Sequence, residues 1–178
     1  LLKACENSLP VVGTKRRAYQ CKRPTAVRDR ALILVLLDTG VRAGECARLR
    51  IRDANLENGE MYVKPHHVRK TRPRTVYLGK SARKALWKYL TTREDPRPDD
   101  PLLATIDGKP MTQGSILKVI YAVGRASGVR NAHPHRFRHT FAIQFLRNGG
   151  DVFTLQRLMG HATLVMVRHY LALADADS

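Results

Sequence analysis

The stretch "TAVRDRALILVLLDTG", residues 25–40, predicts a buried helix around which the fold is built. Its second half is apolar nearly all round, which is typical of a helix enclosed by protein rather than lying on the surface. Thr25 is a suitable N-cap residue and Gly40 a suitable C-terminal stop. A short second helix is predicted directly afterwards, across "RAGECARLR" at 42–50.

Residues 51–78 predict β-structure. Asn58-Gly59 is a strong hairpin signal just before "MYV" at 61–63, and "RTVYLG" at 74–79 is the third of three β-rich pieces. We therefore expect a small antiparallel sheet, with a basic loop, "KPHHVRKTRPR", before its last strand. The rest of the chain predicts helices, closed or separated by loops and glycines, at 81–94, 112–128, 135–150, 151–160 and 163–173.

The predicted fold class is mainly α with a small antiparallel β-sheet, in one domain spanning 1–178. The chain has 32 Lys and Arg against 15 Asp and Glu, a net charge of +17 that favours a polyanionic partner such as nucleic acid. Its longest apolar run, at 31–37, is far shorter than the roughly 20 residues of a membrane-spanning helix. No secretory signal is visible, and Cys5, Cys21 and Cys46 form no disulfide or metal pattern, so we expect a reduced, cytoplasmic chain.

The stretch "HPHRFRHTFAIQFL", 133–146, concentrates basic groups on one helical face. His135, Arg138 and His139 lie within four residues, and three phenylalanines spaced by four form a separate, anchoring stripe. Arg138 is accordingly expected to be an exposed helical arginine whose truncation leaves the fold intact. A merely solvated basic face remains the alternative.

Three other stretches carry candidate chemistry. In "DTGVRAGECARLR", 38–50, Glu45 lies one helical turn beyond Arg42 and can hold its guanidinium, although a surface ion pair would have the same spacing. Lys70, in the basic loop, suits a phosphate contact or simple solvation. In "LMGHATLVMVRHY", 158–170, Tyr170 follows His161 by nine residues and is either a nucleophile or a phenol at the edge of the core.

Two arginines, a lysine, two histidines and a tyrosine suit phosphoryl transfer without a metal. Arginine N–H groups can stabilise the negative charge that develops on a phosphate during the reaction. An activated phenol can attack the phosphorus, and a lysine can protonate the leaving hydroxyl. The set that we single out is Arg42, Lys70, His135, Arg138, His161 and Tyr170.

In order along the chain, four stretches resemble the catalytic domain of the tyrosine recombinase, or phage integrase, family. "DTGVRAGECARL" resembles its first arginine box, "KTRPRTVYL" its lysine-bearing hairpin, "HPHRFRHTFA" its His-x-x-Arg-His box and "LMGHATLVMVRHY" its His-to-Tyr box. Together they cover 25–175. The resemblance implies a DNA breaking-rejoining fold and a site-specific recombinase that uses no cofactor, metal or ATP.

The resemblance also implies a role for each residue. Tyr170 would attack the DNA phosphate and form a 3′-phosphotyrosyl bond, with Arg42 and Arg138 on that phosphate and Glu45 orienting Arg42. Lys70, or alternatively Lys64, would protonate the 5′-hydroxyl. His135 would handle the tyrosine proton and His161 would hydrogen-bond the phosphate. The residues expected on the DNA backbone are Arg69, Arg72, Arg74 and His139.

The implied partner is double-stranded DNA, bound as a homotetramer by the full-length protein, whereas the domain alone is expected to be monomeric. The N-terminal core-binding and arm-binding domains of the family are expected to be missing from this chain. A non-catalytic DNA-binding module, with a helix-turn-helix at 151–173, and a type IB topoisomerase-like relaxing enzyme remain the alternatives.

Overall fold

The computed structural model describes residues 1–6, 23–65, 73–160, 167 and 170–173. These residues form a mainly helical fold with a small antiparallel sheet, which confirms the predicted fold class. Two short 3₁₀ turns, Lys3–Cys5 and Ile51–Asp53, accompany the main elements, and Val167 and residues 170–173 are helical. In chain order the main elements are α1 (Ala26–Thr39), α2 (Ala43–Cys46), β1 (Glu60–Val63), β2 (Arg74–Tyr77), α3 (Lys80–Leu90), α4 (Gln113–Ala126), α5 (Pro134–Arg147) and α6 (Val152–Met159).

Helix α1 is the buried central helix that the sequence predicts. Leu32, Ile33 and Leu36 have no exposed surface, because α1 packs against α3 on one side and α5 on another. The helix follows Thr25 and ends at Gly40, which adopts the left-handed conformation (φ 59°) and donates its N–H to the Leu36 carbonyl at 3.1 Å. Glycine suits this C-terminal position because it has no Cβ to strain.

The sheet has two strands rather than three β-rich pieces. Strands β1 and β2 are antiparallel, with Met61 opposite Val76 on the buried face. The predicted turn is present, since Gly59 has a positive φ of 85°, and before it Ala54 pairs with Met61 as an isolated bridge. The chain leading to Ala54 forms a 3₁₀ turn, and that turn prevents a third extended strand.

Two groups of apolar side chains hold the described residues together. The larger one surrounds α1 and includes the buried face of α3, which carries Ala85, Leu86 and Tyr89. The smaller one joins α5 and α6 to the C-terminal helical residues. Among the residues described, no helix combines the length and apolarity that crossing a membrane requires. The buried members of the smaller group are Ala142, Leu155, Met159, Val167 and Tyr170.

Candidate active site

The junction between α1 and α2 positions Arg42 and Glu45. Arg42 is the extended N-cap residue of α2, and its backbone N–H donates to Glu45 Oε2 at 2.9 Å. Its guanidinium Nη1 donates to Glu45 Oε1 at 3.3 Å. The Glu45 side chain is fully buried, whereas 35% of the Arg42 side chain remains exposed. The predicted i,i+3 contact is therefore a half-buried pair that leaves the arginine open to a ligand.

Arg74, on β2, makes the strongest contacts to Glu45. Its Nη1 and Nη2 donate to Oε1 and Oε2 at 3.0 and 2.8 Å, and its Nε donates to the Leu158 carbonyl at 2.6 Å. The sequence predicts that Arg74 contacts the DNA backbone; in the structure the residue is 9% exposed, and its guanidinium faces Glu45 and the Leu158 carbonyl. Strand alternation places Arg74 on the inward face with Val76, where its guanidinium pairs with a buried carboxylate.

Glu45 is ionised despite its burial. Burial alone would raise the pKa of this carboxyl, but the hydrogen bonds and charge of Arg74, together with Arg42, hold it below its ordinary value. A buried carboxylate between two guanidinium groups is stabilised by charge-assisted hydrogen bonds. Glu45 therefore acts as a fixed anion that holds both arginines.

Arg138 is buried on α5, not exposed as the sequence predicts. Only 4% of the residue is accessible, and its two Nη atoms donate to the carbonyls of Gly40, at 2.6 Å, and Met159. Gly40 also allows the ring of Phe141, on the same helix, to pack close to this backbone, because a Cβ there would lie 2.5 Å from that ring. The expectation that truncating Arg138 leaves the fold intact rests on an exposed side chain, and that premise is wrong. The side chain is buried and donates hydrogen bonds to two backbone carbonyls.

The environment of Arg138 lowers its pKa. Burial, together with the positive charges of Arg42 and Arg74, lowers the pKa of Arg138 to about 9, although Glu45 and Tyr170 act in the opposite direction. Arg138 is still protonated near pH 7. The three guanidinium groups are thus crowded at some electrostatic cost, a condition that is common where a site awaits an anionic ligand.

Tyr170 lies near these arginines and is 7% exposed. Burial raises the pKa of its phenol, while the charges of Arg138 and Arg42 act in the opposite direction. The ring packs edge-on against His139, with 5.0 Å between ring centroids. The structure therefore brings Arg42, Arg138 and Tyr170 together from three distant segments of the chain, with His139 beside the phenol rather than as a plain surface cation.

The other predicted site residues have different positions. His135 is exposed in the first turn of α5, with its ring 6.1 Å from that of His133. Lys64, the alternative to Lys70, pairs with Asp53 at 3.3 Å. Four of the predicted residues lie outside those that the structure describes: Arg69, Lys70, Arg72 and His161.

Two features of the site were missed by the sequence reasoning. One is the pairing of Arg74 with Glu45, for which the inward alternation with Val76 was an available signal. The other is the end of α6, where the Leu158 and Met159 carbonyls accept from Arg74 and Arg138. Over the described ranges, no cluster of three or more His, Cys, Asp and Glu side chains could hold a metal ion.

The sequence of the chain is similar to known protein families and proteins. The model of the phage integrase family matches residues 15–177. The chain belongs to the phage integrase family. It is 31% identical over 166 residues to the tyrosine recombinase XerC of Lactobacillus leichmannii, a match covering 89% of this chain and 55% of that protein. It is 33% identical over 158 residues to XerC of Listeria welshimeri serovar 6b, covering 85% and 52%.

Solved structures of tyrosine recombinases have the same fold as this phage integrase family member. The XerA recombinase is 31% identical with a TM-score of 0.74, over 84% of this chain and 57% of that one. The XerH site-specific recombinase bound to its difH substrate, a pre-cleavage complex, is 27% identical with a TM-score of 0.74, over 99% and 49%. The chain spans about half the length of the relatives it matches.

Proposed function

We propose that this chain is the catalytic domain of a tyrosine site-specific DNA recombinase, which cleaves and rejoins DNA through a 3′-phosphotyrosyl bond at Tyr170 without metal or ATP. The observation that carries the proposal is the placement of a buried phenol beside the charges of Arg138 and Arg42. A phosphodiester bound by these guanidinium groups would lie within reach of the phenol. The description of XerH structures as pre-cleavage and post-cleavage complexes supports the same reaction class.

The arginines would bind the scissile phosphate and stabilise the charge that develops on it. Arg42 suits direct contact, because Glu45 fixes its backbone and one Nη while about a third of the side chain stays exposed. Arg138 is held in place by two carbonyls and contributes a fixed positive charge. Such preorganised charge costs no reorganisation during the reaction, and removing one such donor typically slows catalysis by about 100- to 1,000-fold.

In the reaction, the Tyr170 oxygen bonds to phosphorus as the bond to the 5′-oxygen breaks. The phenol must lose a proton, and its raised pKa means that it is neutral at pH 7 before DNA binds. We assign that proton to His135 and the proton delivered to the 5′-oxygen to Lys70, with His161 bonding the phosphate. The phosphodiester energy is kept in the tyrosyl bond, so the attack of a 5′-hydroxyl rejoins the strand.

The partner of this domain would be double-stranded DNA, which its net charge of +17 favours. Recombination joins two sites, so we propose that the full-length protein works as a homotetramer on DNA. The domain alone would be a monomer.

Covalent trapping tests the proposed function. The protein is incubated at low salt, with EDTA, with nicked duplexes of randomised sequence, from which the short 5′-hydroxyl fragment diffuses away after cleavage. Tyr170→Phe should give no protein–DNA band on a denaturing gel. Tyr89→Phe is a matched control, because Tyr89 is equally buried (7% exposed) but its hydroxyl accepts from the Ala104 N–H, so it should react like the wild type.

The possible results separate the alternatives. A band from the wild type and Tyr89→Phe alone supports the proposal, and sequencing the attached DNA begins to define the site. A band from Tyr170→Phe would place the nucleophile elsewhere. Tight DNA binding without any band would favour the non-catalytic binding module. Relaxation of a supercoiled plasmid without strand exchange between two sites would favour the topoisomerase-like enzyme.

A further inference from the structure

We infer that Arg74 is a positioning residue, which holds Glu45 and the end of α6 so that Arg42 stays available to the phosphate. The inference rests on the proposed function, since it concerns how that site is kept in order. Its basis is a side chain that joins three separate elements: β2, which carries it, α2 through Glu45, and the C-terminal end of α6 through Leu158.

The contacts of Arg74 use the planar shape of its guanidinium. Two N–H groups face the two oxygens of Glu45 while Nε faces the Leu158 carbonyl in another direction. A lysine ammonium is a single compact charge on a flexible stem and cannot fix all three acceptors in this way. The side chain is 6% exposed, so water does not compete for these hydrogen bonds.

Gly160 completes the arrangement at the end of α6. Its φ of 62° is in the left-handed region, and a Cβ there would lie 3.0 Å from Nη1 and 3.2 Å from Cζ of Arg74. The guanidinium therefore packs directly against the backbone that ends α6. Movement of Arg74 would shift this backbone, which leads into the segment carrying Tyr170.

The distances indicate how Arg74 affects Arg42. Because Arg74 occupies both oxygens of Glu45, the guanidinium of Arg42 makes one longer contact of 3.3 Å to that carboxylate. If Arg74 were removed, both oxygens of Glu45 would be free to accept from Arg42. The Arg42 guanidinium would then move towards the carboxylate and away from the phosphate. Arg74 thus lowers the competition between Glu45 and the DNA phosphate for Arg42.

Arg74→Lys tests this inference, with Arg28→Lys as a matched control. Arg28 is also largely buried, makes two hydrogen bonds to the buried carboxylate of Asp29 and donates to the Ala104 carbonyl, but it lies at the start of α1. Single-turnover formation of the covalent complex should slow by about 10- to 100-fold in Arg74→Lys. The DNA concentration for half-saturation should change by less than about threefold, because no phosphate contact is lost. Arg28→Lys should leave both values unchanged.

A second measurement needs no cleavage. The Arg42 amide bonds to Glu45 Oε2, so its hydrogen–deuterium exchange reports whether Glu45 is held in place. We expect exchange to be at least tenfold faster in Arg74→Lys and unchanged in Arg28→Lys, which controls for loss of global stability.

The outcomes distinguish the role of Arg74 from the proposed cleavage of DNA. Unchanged Arg42 exchange in Arg74→Lys overturns the inference, whether or not the protein cleaves DNA. A loss of DNA affinity parallel to the loss of rate, with a shallower salt dependence, would make Arg74 a phosphate contact and also overturn it. If the wild type forms no covalent product but the exchange effect is present, Arg74 is confirmed as the residue holding Glu45, and the proposed reaction alone fails.

Discussion

Replacing Glu45 by glutamine tests whether a single buried carboxylate holds the arginine cluster together. The side chain is 0% exposed and accepts four hydrogen bonds, two from Arg42 and two from Arg74. The amide keeps the size but removes the charge, and one of its two polar atoms becomes a donor that faces the guanidinium groups. Arg138, whose pKa is already lowered to about 9 by burial and by these neighbours, would lose a compensating charge.

The expected magnitude follows from the burial. Removing one partner of a buried ion pair costs about 3–5 kcal/mol, because the remaining charge is left without compensation. The free energy of unfolding in urea at pH 7 should fall by that amount. For a domain of this size, each kcal/mol lowers the melting temperature by about 2–4 °C. Asp29→Asn is the matched control: Asp29 is also fully buried against two arginines, and its loss should destabilise the protein without slowing DNA cleavage.

The contribution of Glu45 to the free energy of unfolding should depend on pH. The pKa of Glu45 is lower in the folded protein than its ordinary value of 4.5, so its contribution to stability is complete above that value. The contribution is lost as pH falls through the lower, folded pKa, since protonation then removes the charge in the wild type as well. The difference in the free energy of unfolding between the wild type and Glu45→Gln should therefore become smaller at low pH. Equal stability at pH 7, or a difference that persists at low pH, would refute the reasoning.

Four further measurements test other parts of the site. Gly160→Ala introduces a Cβ in the left-handed region against Arg74, so it should lower stability by about 1–3 kcal/mol in urea unfolding and slow covalent trapping. Because burial raises the pKa of Tyr170, the trapping rate should increase between pH 7 and 8, where Arg138 with its pKa of about 9 stays charged; a rate that falls over this interval would contradict attack by a neutral, buried phenol that must lose its proton. Arg138→Lys keeps a charge but loses the paired donors, so single-turnover cleavage should drop by about 100-fold or more, and wild-type rates would argue against its role. DNA affinity should fall with salt with a log–log slope of about −0.9 per phosphate neutralised, and a flat dependence in a titration would exclude backbone-driven binding.

The elements that local sequence determines were predicted well. Helix α1 was placed between Thr25 and Gly40 because an apolar run with a helix start signal and a glycine stop has few other solutions. The buried face of α3 follows from helical spacing in the same way, and the Asn58-Gly59 turn from the positive φ that glycine adopts at low cost. In each case the information lies within about fifteen neighbouring residues.

The side chains of the site were harder to predict, because their environment comes from distant segments. Helical spacing placed Arg138 on a polar face, but it could not tell that the ends of α1 and α6 cover that face. A DNA-backbone contact is predicted for Arg74 because its neighbours in the basic loop are arginines and a lysine. Its partner Glu45 lies 29 residues earlier in the chain, and pairing across that distance is decided by tertiary packing.

The end of α6 explains why these arginines can be buried at all. A helix C-terminus carries about half a negative elementary charge on its last carbonyls, and here the Leu158 and Met159 carbonyls face Arg74 and Arg138. Together with the Glu45 carboxylate this offsets only part of the charge of three guanidinium groups, including Arg42. A phosphodiester supplies one further negative charge. We therefore expect the cluster to be best compensated with DNA bound.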